Sequence, residues 1–96
     1  MDLTGTWKVS VEDGPRWFRA LNLLRDRKII TCDTGYNIAR GFKWGRFTIT
    51  RENDRFVFTY SGSPIVDSVY VLNDKLIGFF YLKGKYVGQF KMTRIL

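Results

Sequence analysis

The chain has 96 residues, of which 45% are hydrophobic and 17% aromatic, and its formal net charge is +7. This length predicts a single domain spanning residues 1–96, and the hydrophobic content excludes wholesale disorder. The sequence has no histidine, which excludes Ser-His-Asp and Cys-His catalysis, the usual zinc sites and histidine-ligated haem. The charge is spread evenly along the chain, so it suits either a solvated surface or a face that attracts nucleic acid, anionic lipid or an acidic protein.

The first predicted elements are a strand and a short helix. Residues 3–11 alternate, with Trp7 and Val9 on one face and Lys8 on the other, which is typical of a half-buried strand. Pro15 suits the first turn of a helix. From Arg16 to about Arg27 the apolar residues repeat at spacings of three and four, which predicts one helix. These apolar residues are Trp17, Phe18, Leu21 and Leu24.

The rest of the chain reads as a β meander. Residues 28–32 form a predicted strand and Asp33-Thr34-Gly35 a turn. Residues 37–49 are strand-like but interrupted at Gly41 and Gly45. The apolar residues change from even to odd positions near Gly45, and such a shift by one residue predicts a bulge there. Predicted strands then cover 56–60, 65–72, 76–82 and 86–95, joined by short turns. The fold class is therefore all-β with one short helix. Because two free edges invite aggregation, the last strand is expected to close an antiparallel up-and-down barrel against the first.

The two chain ends carry a family resemblance. Gly5-Thr6-Trp7 in the first strand resembles the Gly-x-Trp opening of the calycin superfamily, which includes lipocalins, fatty-acid-binding proteins and avidins. The resemblance implies that a basic residue near the end of the last strand closes the barrel across this tryptophan. Arg94 has the same parity as Phe90 and would stack on Trp7. A helix after the first strand is similar to the fatty-acid-binding branch.

Three binding functions remain open from the sequence, all without a cofactor or metal. The first is a small apolar or amphipathic ligand held among aromatic side chains. The second is a protein partner or a second copy on an apolar or basic barrel face, because strand 76–82 is apolar on both sides and either the helix or another subunit must cover one of them. The third is nucleic acid bound by the basic and aromatic residues 40–47. The ligand-binding candidates are Trp44, Phe56, Phe58, Tyr60 and Phe90.

No residue pattern predicts an enzyme. Asp33-Thr34-Gly35 resembles the active-site motif of retroviral-type aspartic proteases, but Tyr36 follows where that family has Ala or Ser, so a turn is expected. Cys32 has no histidine to activate it and is expected to be a buried or half-buried strand thiol. Asp67, inside an apolar strand, either faces solvent or is an inward anchor for a ligand or for Arg94. The single cysteine and the lack of a long apolar run predict a cytoplasmic protein with no membrane span.

Overall fold

The computed structural model describes residues 2–21 and 26–95, and these residues form a closed eight-stranded barrel. The elements in chain order are β1 (Gly5–Asp13), α1 (Arg16–Ala20), β2 (Arg27–Thr31), β3 (Thr34–Ala39), β4 (Phe42–Glu52), β5 (Arg55–Tyr60), β6 (Ile65–Leu72), β7 (Lys75–Leu82) and β8 (Lys85–Ile95). Each strand pairs antiparallel with the next, and β1 also pairs with β8, so that Trp7 lies opposite Arg94. The predicted all-β up-and-down barrel is confirmed.

The up-and-down order gives the barrel two different ends. The helix end carries α1, the β3–β4 turn at 40–41, the β5–β6 loop at 61–64 and the β7–β8 turn at 83–84. The opposite end carries the turns at 32–33, 53–54 and 73–74 together with residues 2–4. Hydrogen bonds tie both ends: Lys83 N donates to the carbonyl of Pro64 (3.0 Å), and Cys32 N donates to Thr4 Oγ1 (3.0 Å).

The β2–β3 turn lies one residue earlier than the sequence predicted. It consists of Cys32 and Asp33, while Thr34 and Gly35 already belong to β3. Gly35 is needed in the strand because a Cβ at this position would lie 2.5 Å from the ring of Phe47. Cys32 adopts a positive φ of 58° and is exposed, so the prediction that it is a buried strand thiol was wrong.

The predicted strand over 37–49 is two strands, divided by the turn at Arg40–Gly41. The predicted bulge near Gly45 is confirmed: Gly35 pairs with Phe47 but Asn37 pairs with Trp44, so β4 contains one extra residue. Gly45 has a φ of +63°, and a Cβ there would lie 2.6 Å from Nδ2 of Asn37. Only glycine meets both conditions without strain.

The helix is shorter than its predicted span of 16–27, and Pro15 is its N-cap rather than its first residue. Arg27 already opens β2, and Leu24 lies outside the described residues. The buried helix residue is Phe18, whose ring lies 4.9 Å from that of the inward-facing Phe80. The helix thus packs against the interior at one end of the barrel and does not cover the outer side of β7. No helix in the described residues is long and apolar enough to cross a membrane.

Candidate functional site

The barrel interior is filled by the protein's own aromatic side chains. Phe58 and Phe90 are fully buried, and Phe56 and Tyr60 nearly so. Phe47 stacks on Phe58 with 4.8 Å between the ring centroids and lies 5.2 Å from Tyr60. The structure therefore gathers four of the five ligand-binding candidates in the packed core. The fifth, Trp44, is 38% exposed.

A polar network crosses this apolar interior. The ammonium group of Lys28 donates to Asn37 Oδ1 (2.6 Å) and to the hydroxyl of Tyr60, and that hydroxyl donates to Asp67 Oδ2 (2.7 Å). Lys28, Asn37 and Asp67 are fully buried. Lys28 Nζ also lies 5.0 Å from the ring centroids of both Phe47 and Tyr60, a distance at which a ring face attracts a cation.

Asp67 points inward, and its partners are Tyr60 and Lys28 rather than Arg94. Among the described residues, neither Asp67 Oδ1 nor Asn37 Nδ2 has a hydrogen-bond partner. Lys28 is not among the site residues predicted from the sequence. Its burial could have been predicted from Ile30, which lies two residues further along the same strand and is also buried, because strand residues two apart share a face.

Trp7 and Arg94 meet where β1 pairs with β8. The guanidinium carbon of Arg94 lies 4.3 Å from the centroid of the buried Trp7 ring. Its Nη1 donates to the carbonyl of Thr4 (2.6 Å) and its Nη2 to that of Asp2 (3.1 Å). Gly5 allows this approach, since a Cβ there would lie 2.8 Å from Nη1. These contacts can hold the N-terminal residues across one end of the barrel.

The outer side of β6, β7 and β8 forms an apolar face. Its members alternate with the inward residues Asp67, Val69, Leu76 and Phe80. Ring contacts join them: Tyr70 lies 5.8 Å and Tyr86 6.3 Å from Phe79, measured between centroids. A groove of about 530 Å³ runs over the part formed by β6 and β7. The apolar face consists of Tyr70, Leu72, Ile77, Phe79, Tyr81 and Tyr86.

Cationic side chains border the apolar face on several sides. Arg55 pairs with Tyr70 across β5 and β6, and Lys91 pairs with Ile77 across β7 and β8. Arg55 Nη2 lies 3.1 Å from Glu52 Oε1, and this hydrogen bond raises the pKa of Arg55 above its ordinary value. Lys91 Nζ lies 3.3 Å from Glu12 Oε1.

One further lysine flanks an end of the apolar face. Lys75 pairs with Leu72, which belongs to that face. Within residues 2–21 and 26–95, no acidic group lies within ion-pair distance of Lys75. The border of the apolar face therefore has a positive charge that the protein does not neutralise there.

Residues 40–47 do not form one continuous platform. Phe47 points into the core, while Phe42, the first residue of β4, is 76% exposed. Lys43 Nζ covers the ring of Tyr36, 4.9 Å from its centroid, and a groove of about 260 Å³ lies between these side chains and Trp44. The structure therefore divides the predicted nucleic-acid-binding residues between the interior and the surface of the helix end.

The motif Asp33-Thr34-Gly35 begins in the exposed β2–β3 turn and continues into β3. Asp33 is exposed, and its main-chain carbonyl accepts a hydrogen bond from Ile49 N at 2.7 Å. Asp33 thus contributes to a turn, which is the structural role that the sequence analysis preferred.

No protein-family model, curated protein or solved structure matches the chain.

Proposed function

We propose that the chain is a non-catalytic binding protein whose apolar face docks an acidic protein. The observation that carries this proposal is the composition of the outer side of β7, where Ile77, Phe79 and Tyr81 occupy positions that an antiparallel sheet normally leaves polar. The helix packs elsewhere, on Phe80. A contiguous apolar patch surrounded by polar groups is typical of a protein interaction site.

The charge around the apolar face selects the kind of partner. Arg55, Lys75 and Lys91 border it, and of these three Arg55 and Lys91 have acidic partners in the described residues while Lys75 has none. A second copy of the chain would bring these like charges together, which is unfavourable. A partner with apolar side chains surrounded by carboxylates would match both the apolar centre and the basic border.

The interior is a poorer place for a ligand than the apolar face. A ligand there would have to displace stacked rings such as Phe47 and Phe58, and it would disturb the buried network of Lys28 and Asp67. Opening a packed core forfeits burial of large side chains, at about 3–5 kcal/mol for each aromatic residue displaced. We therefore place binding on the outside of the barrel.

We also propose that the barrel is a calycin. Support comes from Gly5-Thr6-Trp7 in the opening strand, from the guanidinium of Arg94 over the indole of Trp7, and from a helix directly after β1. Eight short strands filled by side chains fit a small barrel without a ligand cavity.

Selection from a random-peptide library on the purified protein tests the docking proposal. We expect the selected peptides to combine aromatic or aliphatic residues with several Asp or Glu, and to bind more weakly as salt is raised from about 0.1 M to about 0.5 M. The variant Phe79→Ser should lose at least about tenfold in affinity for a selected peptide, measured by fluorescence anisotropy. Ile38→Ser is the matched control, because it removes a half-buried apolar residue from β3 on the other side of the barrel.

Two results would overturn the docking proposal. Peptides without an excess of acidic residues, or an unchanged affinity in Phe79→Ser, would show that the basic border or the apolar face does not recognise the partner. A dimer at micromolar concentration in sedimentation velocity that Phe79→Ser dissociates would assign the face to a second copy instead.

A further inference from the structure

Cationic residues that are far apart in the sequence lie together at one end of the barrel, because every second connection of the meander is at that end. The acidic residues of the turns lie mainly at the opposite end, where Asp33, Glu52, Asp54 and Asp74 are exposed. The described residues at the helix end include three acidic ones, Glu12, Asp13 and Asp26. Among the described residues, the cationic ones at the helix end include Arg16, Arg19, Arg27, Arg40, Lys43, Lys83 and Lys85.

The same end exposes large apolar side chains. Phe42 follows the two-residue turn Arg40–Gly41 and, at 76%, is the most exposed large hydrophobic residue in the described part of the chain. Trp17, in the first turn of α1, is 49% exposed, and Trp44 is 38% exposed. Cations and aromatic rings therefore share one end of the molecule.

We propose that the helix end docks on an anionic lipid surface, with Phe42 and Trp17 entering the interface between headgroups and acyl chains. Tryptophan is enriched at this interface because its ring is apolar and its N–H is polar. Lysine and arginine close to the surface are attracted by anionic lipids. The exposed rings supply the apolar contact, and the cations around them supply the attraction.

The placement of the rings favours a lipid surface over single-stranded nucleic acid. Base stacking needs accessible ring faces in succession along a groove. Here Phe42 and Trp17 lie on separate elements, the first residue of β4 and α1, and the ring of Tyr36 in the nearby groove is covered by Lys43. Side chains at the start of a strand and on a short helix at one end of a barrel can enter a planar surface together.

This surface is distinct from the apolar face. The apolar face lies on the side of the barrel, along β6 to β8, whereas Arg40 and Phe42 lie at the end of β3 and β4. Lipid and a protein partner could therefore be bound at the same time, and the two proposals can fail separately.

Vesicle co-sedimentation tests the lipid proposal. The probes are phosphatidylcholine vesicles with and without about 30% phosphatidylserine, whose negative surface potential attracts cations. We expect the protein to pellet with the phosphatidylserine vesicles only, and to be released as NaCl rises to about 0.5 M. Tryptophan emission should shift to shorter wavelength on binding, because Trp17 and Trp44 are both partly exposed in the free protein.

Matched variants distinguish insertion of the exposed ring and attraction by the cations of the helix end from the effect of any apolar or cationic residue elsewhere. Phe42→Ser and the pair Arg40→Gln with Lys43→Gln should each weaken binding to these vesicles by at least about tenfold. Val57→Ser and Arg51→Gln, which change an apolar and a cationic residue away from the helix end, should leave it unchanged. Circular dichroism checks that each variant is folded.

Three outcomes would overturn the lipid proposal. The first is no pelleting with phosphatidylserine vesicles, and the second is equal pelleting with both kinds of vesicle. The third is binding that Phe42→Ser leaves intact. If vesicles are not bound but a single-stranded oligonucleotide is, with loss in the Arg40 and Lys43 variant, the helix end is a nucleic-acid surface instead.

Discussion

The ammonium nitrogen of Lys28 lies 3.8 Å from a carboxylate oxygen of Asp67, and both side chains are fully buried. The hydroxyl of Tyr60 bridges the two groups, and Asn37 accepts a further hydrogen bond from Lys28. Removing two such charges from water costs several kcal/mol each, which their attraction and hydrogen bonds must offset. The pair fixes β2 against β6 across the interior, because neither charge can remain buried alone.

Breaking this pair on one side should destabilise the barrel strongly. Lys28→Met leaves the carboxylate of Asp67 buried without its cation, and we expect a loss of about 3–5 kcal/mol in the free energy of unfolding. The double variant Lys28→Met with Asp67→Leu should recover most of that loss, since it leaves no uncompensated charge. Urea unfolding measures both. A single variant as stable as the wild type would contradict the assigned role of Lys28.

Gly78 lies where β7 passes over the ring of Phe90. A Cβ at this position would lie 2.1 Å from Cζ of Phe90, and that ring is fully buried. We expect Gly78→Ala to cost about 1–3 kcal/mol through overpacking. Adding Phe90→Leu, which has no Cζ, should make the alanine less costly than it is alone. Thermal unfolding of the two single variants and the double variant gives the coupling, and strictly additive losses would show that the two residues do not meet.

Arg94 should not be replaceable by lysine. Its two guanidinium nitrogens donate to the carbonyls of Thr4 and Asp2 while the plane lies over Trp7. A lysine offers one point charge, so we expect Arg94→Lys to lose about 1 kcal/mol of stability. Arg51→Lys is the control, because Arg51 is exposed and lies 5.5 Å from the ring of Phe56. Equal effects of the two substitutions in urea unfolding would contradict a special role for Arg94.

Asp2 should titrate below its ordinary range. The hydrogen bond from the backbone N–H of Thr4 to its carboxylate (2.9 Å) is the main cause that lowers its pKa, and Arg94 adds a smaller attraction. A folded-state pKa below the unfolded value of 3.8 stabilises the fold above that pH, and this contribution is lost as pH falls through the folded value. Carboxyl NMR titration measures it, and Asp2→Asn should remove that step. A pKa at or above 3.8 would show that the hydrogen bond does not form.

The sequence was most informative where local pattern decides structure. Alternation placed Trp7 and Phe90 inside, the phase slip located the bulge at Gly45, and parity brought Arg94 to the inner side of the last strand. The buried pair could not be predicted in this way. The contact between Lys28 and the carboxylate of Asp67 depends on the register of β2 and β6, which are not neighbours in the barrel. No local sequence pattern encodes that contact.

The difference in charge between the two ends of the barrel could also not be predicted from the sequence. Lys83 and Arg40 are far apart along the chain, and the net charge is spread evenly over it. In an up-and-down barrel every second turn lies at the same end, so both residues come to the helix end. The exposure of Phe42 depends on the turn at Arg40–Gly41, where the sequence predicted only an interruption within one strand.

The pairing of β1 with β8 has a consequence for how the protein is made. Trp7 has no Arg94 to cover it until nearly the whole described chain has left the ribosome, and until then β1 has an open edge. Contacts between residues so distant in sequence slow folding, because the long loop must close before they stabilise anything. We therefore expect nascent chains truncated before β8 to be sensitive to protease and to be bound by chaperones. We also expect the pairing of β1 with β8, which closes the barrel, to be a late event in folding.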